Sequence, residues 1–322
     1  MHLKQVLLQL SDNMKIIKMK RISILLFVIC FGGVLKAQQL PQITQYMMNN
    51  YAINPAVAGM YDYYQVNTTI RNQWQGMNDG PRTTIMSIYG KHSRNVGLGG
   101  TVFNDVTGPT SRVGGSMSYT YSLNITQSMK LALALSGGFT QFKIIKEGIS
   151  VEDQNDPLME GGDVVRSLPD ATFGVNLSGD KWYLGMAVPQ LLSSELHLMD
   201  DDFARIYDTT SQSGKLASHI YVLGSYKHSL NFGITIEPSF FLKSVAGAKT
   251  QIDFGVKTGY KEMFWLGMNY KMNNDLSSMA ALLGYNINDR FNIGYSFGLP
   301  SSETSAYQSG SHEFMLGIKF PH

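Results

Sequence analysis

One pattern constrains this chain more than any other: long segments alternate large apolar residues with small or polar ones. In Lys130 to Gly138, Leu131, Leu133 and Leu135 share one face, while Ala132, Ala134 and Ser136 share the other. In Arg290 to Leu299, Phe291, Ile293, Tyr295 and Phe297 oppose Asn292, Gly294, Ser296 and Gly298. In Thr250 to Lys261, Ile252, Phe254, Val256 and Tyr260 oppose Asp253, Gly255, Lys257 and Gly259. A period of two is the signature of a half-buried strand. The reading gives about 14 strands, from Tyr63–Trp74 to His312–Phe320, with Asp170–Ser178, Trp182–Leu192 and Ala217–Ser229 among them.

The chemistry of the two faces decides between architectures. A soluble sandwich solvates its polar face and loads it with charge. Here the non-apolar face is mostly glycine, serine and amide, and charged residues make up only 16% of the chain. A barrel in lipid reverses the layout, with apolar residues outside and small or polar ones inside. Most segments reach the 9–11 residues that a tilted membrane strand needs. The expected fold is therefore all-β, a transmembrane antiparallel barrel of about 14 strands. Connections agree: short turns such as Ser93-Arg94 and Lys261-Glu262 fall on even positions, and the longest connections, 145–169, 193–216 and 300–311, on odd ones. Outer-membrane barrels have short periplasmic turns and longer external loops.

The N-terminus reads as an export signal. Lys15, Lys18, Lys20 and Arg21 precede the apolar run Ile22 to Leu35, and Ala37 supplies a small residue before the expected cut. Residues 1–13 lie upstream of that n-region, as they would if the start codon were assigned too early. Cys30 falls within the apolar run behind Ile29, so lipidation is not expected. Without residues 1–37 the chain has no cysteine, and its 20 basic and 23 acidic residues give a formal charge of -3. That balance argues against nucleic acid as a partner.

Two local features stand out. HEFMLGIKF places Phe314, Leu316, Ile318 and Phe320 on one face and ends on an aromatic, the form of terminal strand that outer-membrane insertion machinery reads. Trp74, Trp182, Trp265, Tyr260 and Tyr285, near strand ends, are expected to form interfacial girdles. Catalytic and cofactor signatures are missing: the histidines show no metal-ligand spacing, and no P-loop, Rossmann or G-x-S-x-G fingerprint occurs. The acidic stretches Val151 to Asp163 and Asp200 to Asp202 read as solvated loops, because the first lacks EF-hand spacing. No enzyme, cofactor or metal is expected.

QYMMNNYAINPAVAG, followed by RNQW and GPRT, resembles the PorP/SprF family of Bacteroidetes outer-membrane proteins, which is tied to type IX secretion and gliding motility. The matching positions are Gln45, Tyr46, Asn49, Asn54, Pro55, Ala56, Ala58 and Gly59, then Arg71, Gln73 and Trp74, then Gly80 and Pro81. Asp156-Pro157 looks like the family's central-loop Asp-Pro, and PDATFGVNLSGDKWYLGMAVPQLL like its following hairpin. The resemblance implies a non-enzymatic role: helping a large secreted adhesin reach or stay on the cell surface through its C-terminal sorting domain. Other type IX components and outer-membrane lipid are the further partners implied. A channel or transporter for small solutes is the competing expectation.

Fatty-acid-transport-type barrels carry a similar Asn-Pro-Ala in a lumenal plug. The expected division is thus a signal peptide over 1–37, a plug-like segment over 38–62 and a barrel over 63–320; the competing expectation is that Pro55 and Gly59 only form the turn into the first strand. Strand parity places Arg71 and Gln73 toward the lumen and Trp74 toward lipid, with Asp253 or Glu237 as the acid expected to pair with Arg71.

Overall fold

The computed structural model describes residues 40, 42–147, 149, 162–197, 213–246, 248–272, 277–300 and 305–321. The expected signal peptide, Asp156-Pro157 and Asp200 to Asp202 lie outside the described residues.

Fourteen strands form one closed wall. They are β1 (Tyr63–Asn72), β2 (Arg82–Lys91), β3 (Val96–Thr107), β4 (Thr110–Asn124), β5 (Lys130–Ile144), β6 (Val164–Ser178) and β7 (Trp182–Val188). They continue as β8 (His219–Tyr226), β9 (Ile234–Val245), β10 (Gln251–Tyr260), β11 (Phe264–Met272), β12 (Ser278–Asn286), β13 (Phe291–Gly298) and β14 (Ser311–Pro321). Each pairs antiparallel with its chain neighbours, and β1 pairs with β14 to close the ring. Closure gives every wall strand a neighbour on both sides, as a strand-built wall in lipid requires.

The two faces follow the sequence alternation. On β1, Gln65, Asn67, Thr69 and Arg71 are buried inside the ring. On β5, Ala132, Ala134 and Ser136 face in, while Leu133, Leu135 and Phe139 are exposed outside. Met117, Leu266 and Phe314 share that exposed outer face. The connections after even-numbered strands run from three to seven residues, and the three longest connections, 145–163, 189–218 and 299–310, follow odd-numbered strands. By the usual asymmetry of such barrels, the odd-turn end is the outer one.

Several elements depart from the sequence reading. β6 begins at Val164, not Asp170, because residues 164–169 continue in register with Phe139–Ile144 of β5. β7 stops at Val188, not Leu192, because Pro189 follows and Gln190 and Ser193 take left-handed backbone angles (φ 55° and 44°). Within the long connection that follows, Glu195–His197 and Ser213–Lys215 pair as a short hairpin of their own. Trp265 belongs to no girdle: Phe264 and Leu266 point outward on β11, so parity turns Trp265 inward, where it is buried and Gly294 of β13 leaves room for its indole.

Candidate functional site

Residues 42–62 do not join the wall. They run inside it, from the outer end of the lumen down to the start of β1. The inner half is built by shape. Asn54 takes an extended conformation, and its Oδ1 accepts a hydrogen bond from the Ala56 N–H (3.0 Å), capping the 3-10 turn Pro55–Gly59. Pro55 occupies the first position of that turn, where its missing donor costs nothing. The Asn54 Nδ2 also donates to the Val175 carbonyl of β6 (2.9 Å), and the Thr120 hydroxyl of β4 donates to the Pro55 carbonyl (3.0 Å).

Small residues then let backbone meet backbone. Ala56 packs on Ala132 and Ala134 of β5. Gly59 lies against Thr120, where an added Cβ would stand 3.3 Å from the methyl group. The wall reciprocates: a Cβ at Gly97 of β3 would come within 2.7 Å of the Ala58 carbonyl carbon. Neither position has room for a side chain. This accounts for a stiff Asn-Pro followed by Ala-Val-Ala-Gly in one stretch.

The middle of the segment is aromatic. Tyr51 stacks on Tyr89 of β2 (centroids 4.3 Å apart, 13° between planes), and its hydroxyl bonds the Ser118 hydroxyl (2.7 Å). Burial pushes the Tyr51 phenol up to about 12, and its hydrogen bond to Ser118 only partly offsets this, so the phenol stays protonated at neutral pH. Tyr46 bonds Ser239 (3.1 Å) and packs against Phe241. The Asn67 amide donates to the Met48 carbonyl (3.3 Å). Asn49 is fully buried, and its carboxamide meets no hydrogen-bond partner among the described residues.

Charge holds the outer half. The Glu313 carboxylate of β14 accepts from the backbone N–H groups of Thr44 and Gln45 (both 2.8 Å) and from Arg71 Nη1 (2.8 Å). Arg71 also donates to the Thr44 hydroxyl, and the Gln45 side chain returns a bond to the Glu313 carbonyl (3.1 Å). Arg71 and Glu313 stand directly opposite in the β1–β14 register, so this cluster spans the seam where the barrel closes. Asn269 donates to the Thr44 carbonyl (3.2 Å), Lys271 to the Gln42 side chain (2.7 Å) and Lys243 to the Leu40 carbonyl (3.2 Å).

The partner expected for Arg71 is thus corrected. Asp253 bonds Gln251 (2.8 Å), and Glu237 pairs with Lys257 (2.8 Å). Glu313 takes the role because closure brings the last strand beside the first. Gln73 and Trp74 lie beyond the end of β1, and Trp74 has a left-handed backbone (φ 55°). Strand parity no longer applies there, and both residues line a cavity of about 620 Å³ at the outer mouth. Phe314, Leu316 and Phe320 are exposed on the outer face of β14, and Ile318 is half-buried on the same face.

Sequence reasoning missed Glu313, Asn269, Lys243 and Lys271. Parity carried a signal for each, since Glu313 alternates with Phe314, and Lys271 with Tyr270 and Met272. The pairings themselves join residues more than 200 positions apart, which periodicity cannot reveal.

The comparisons with known proteins meet this architecture. A family model described as "Type IX secretion system membrane protein PorP/SprF" matches residues 35–318. The chain belongs to that family. No curated protein matches it. Among solved structures it is similar to the toluene transporter TbuX of Ralstonia pickettii, with 11% identity, a TM-score of 0.53, and coverage of 90% of this chain and 98% of that one. It is also similar to a FadL homologue of Pseudomonas aeruginosa (11% identity, TM-score 0.46, covering 88% and 95%). Omp33 of Acinetobacter baumannii gives 8% identity, a TM-score of 0.44, and coverage of 81% and 99%. At 11% identity the likeness to TbuX concerns the fold alone, an outer-membrane β-barrel. This PorP/SprF chain is therefore a 14-stranded outer-membrane barrel of the type IX secretion family.

Proposed function

We propose that this barrel, delivered by a signal peptide over residues 1–37, assists the secretion or surface attachment of a large adhesin by binding the adhesin's C-terminal sorting domain. It performs no catalysis in this role. Family membership sets the secretion context. The observation that carries the reading is the lumen: its own segment runs through it, clipped to β14 at the outer end and packed on β3 to β6 at the inner end. A barrel occupied in this way does its recognition on its rim and wall. The longest outer connections, 145–163 and 189–218, are the proposed contacts, since loops on a rigid scaffold carry recognition.

In this reading the family motif from Gln45 to Gly59 is a plug, Arg71 and Glu313 are structural, and Phe314, Leu316, Ile318 and Phe320 serve insertion into lipid. The 620 Å³ outer cavity favours a second reading, a small-solute channel or transporter. Purification of the tagged protein from its host in mild detergent, followed by mass spectrometry, separates them. Co-purification of a very large secreted protein that is lost when its C-terminal domain is deleted supports adhesin binding, and other type IX components would define the wider assembly. A barrel that emerges alone and passes small solutes supports transport.

A further inference from the structure

Below the outer vestibule lies a second cavity, of about 160 Å³, between the lumenal segment and the wall. Ile43, Ile53, Phe103, Tyr221 and Phe241 make its body apolar. An apolar cavity of about 150 Å³ accepts one benzene ring. Lys271, Gln251, Gln42 and Leu40 line both this cavity and the vestibule, so the two meet at a polar wall.

That wall is unevenly satisfied. Lys243 on β9 stands opposite Gln251 of β10, and Asp253 of β10 stands opposite Lys271 of β11. Each lysine donates to a neutral oxygen, the Leu40 carbonyl or the Gln42 side chain, and neither forms an ion pair among the described residues. An ammonium has three donors, so both have donors to spare. Asp253 is 1% exposed; one of its oxygens accepts from Gln251, and the other has no partner among the described residues. The side-chain amide oxygen of Asn269, two residues before Lys271 on β11, is also buried without a partner among the described residues. Asp170, on the far wall of the cavity, has a buried carboxylate oxygen with no hydrogen-bond partner among the described residues. Buried polar groups are seldom left unpaired, and here the spare donors of two lysines stand at the end of a ring-sized apolar cavity.

We propose that this outer lumen binds an aromatic residue carrying a free carboxylate. The ring occupies the 160 Å³ cavity, and the carboxylate takes the spare donors of Lys243 and Lys271. Two sources share this chemistry: a free aromatic amino acid, and the C-terminal aromatic residue of a polypeptide whose preceding residues sit in the vestibule. The site stands whether or not the barrel serves an adhesin.

Titration calorimetry on the full-length, detergent-purified protein tests it, using L-phenylalanine, the peptide Ala-Ala-Phe and the C-terminal amide of that peptide. Saturable binding of one or both acids is expected, with the amide at least about tenfold weaker than the peptide acid. Tighter binding of L-phenylalanine assigns the site to free amino acids, and tighter binding of the peptide to chain ends. Lys271→Gln should weaken the acids about tenfold and leave the amide unchanged; Lys243→Gln replaces it if that variant loses the heat-modifiable gel migration of a folded barrel. No saturable binding, equal binding of acid and amide, or indifference of the acids to the lysine substitution would overturn the proposal.

Discussion

The two ends of the lumenal segment are held by different physics. At the outer end, Thr44 and Gln45 hang on one carboxylate, Glu313, which also carries Arg71 across the closing seam. At the inner end, Asn54 to Gly59 are held by close approach, with alanine on alanine and backbone against Gly97. A charge cluster stands or falls with one group, because any member left alone is a buried unpaired charge. A packed interface loses stability by increments, as each side chain added or removed costs a little. The outer end is thus the end at which one substitution can release the segment, whereas the inner end should yield gradually.

The largest expected effect follows from Glu313→Gln. Removing one partner of a buried pair costs about 3–5 kcal/mol. Residues 40–48 should become open to protease added to intact cells, as read by mass spectrometry of the N-terminal fragment. Pairing the change with Arg71→Met should restore part of the protection, since no charge is then left alone. If the single substitution leaves protection intact, the charge clip is not what holds the outer end.

Gly97→Val tests the packed end. Its side chain meets the Ala58 backbone, and overpacking of this kind costs about 1–3 kcal/mol. A lower thermal transition is expected while the outer residues stay protected. Asn54→Ala removes a turn cap and a bond to β6, with an expected cost of about 1–2 kcal/mol in the same assay. The smallest effect is from pH. The folded Tyr51 phenol titrates near 12, above its ordinary value near 10, so its contribution is complete below about pH 10 and is lost as pH rises from there toward 12. In Tyr51→Phe the late-titrating tyrosine absorbance should fall by one group.

The wall was legible in the sequence because lipid outside and a narrow lumen inside impose opposite demands on alternate residues. Leu131, Leu133 and Leu135 against Ala132, Ala134 and Ser136 already state which face is which. Strand ends were less legible, since Val164–Pro169 is placed by its pairing with β5 and not by its own pattern. Trp265 was misplaced because a single aromatic near a strand end looks like a girdle until its neighbours' parity is read. The partner of Arg71 was hidden for a different reason. Its contact with Glu313 exists only because the ring closes, and closure joins the two ends of the chain.

The central claim is that residues 42–62 fill the lumen, and conductance in planar bilayers tests it most directly. The measurement compares the purified full-length barrel with a variant lacking residues 38–59, each first shown to be folded by heat-modifiable migration. The account predicts a closed or barely conducting parent and a deletion variant with large, steady single-channel currents. Equal conductance in the two would contradict it.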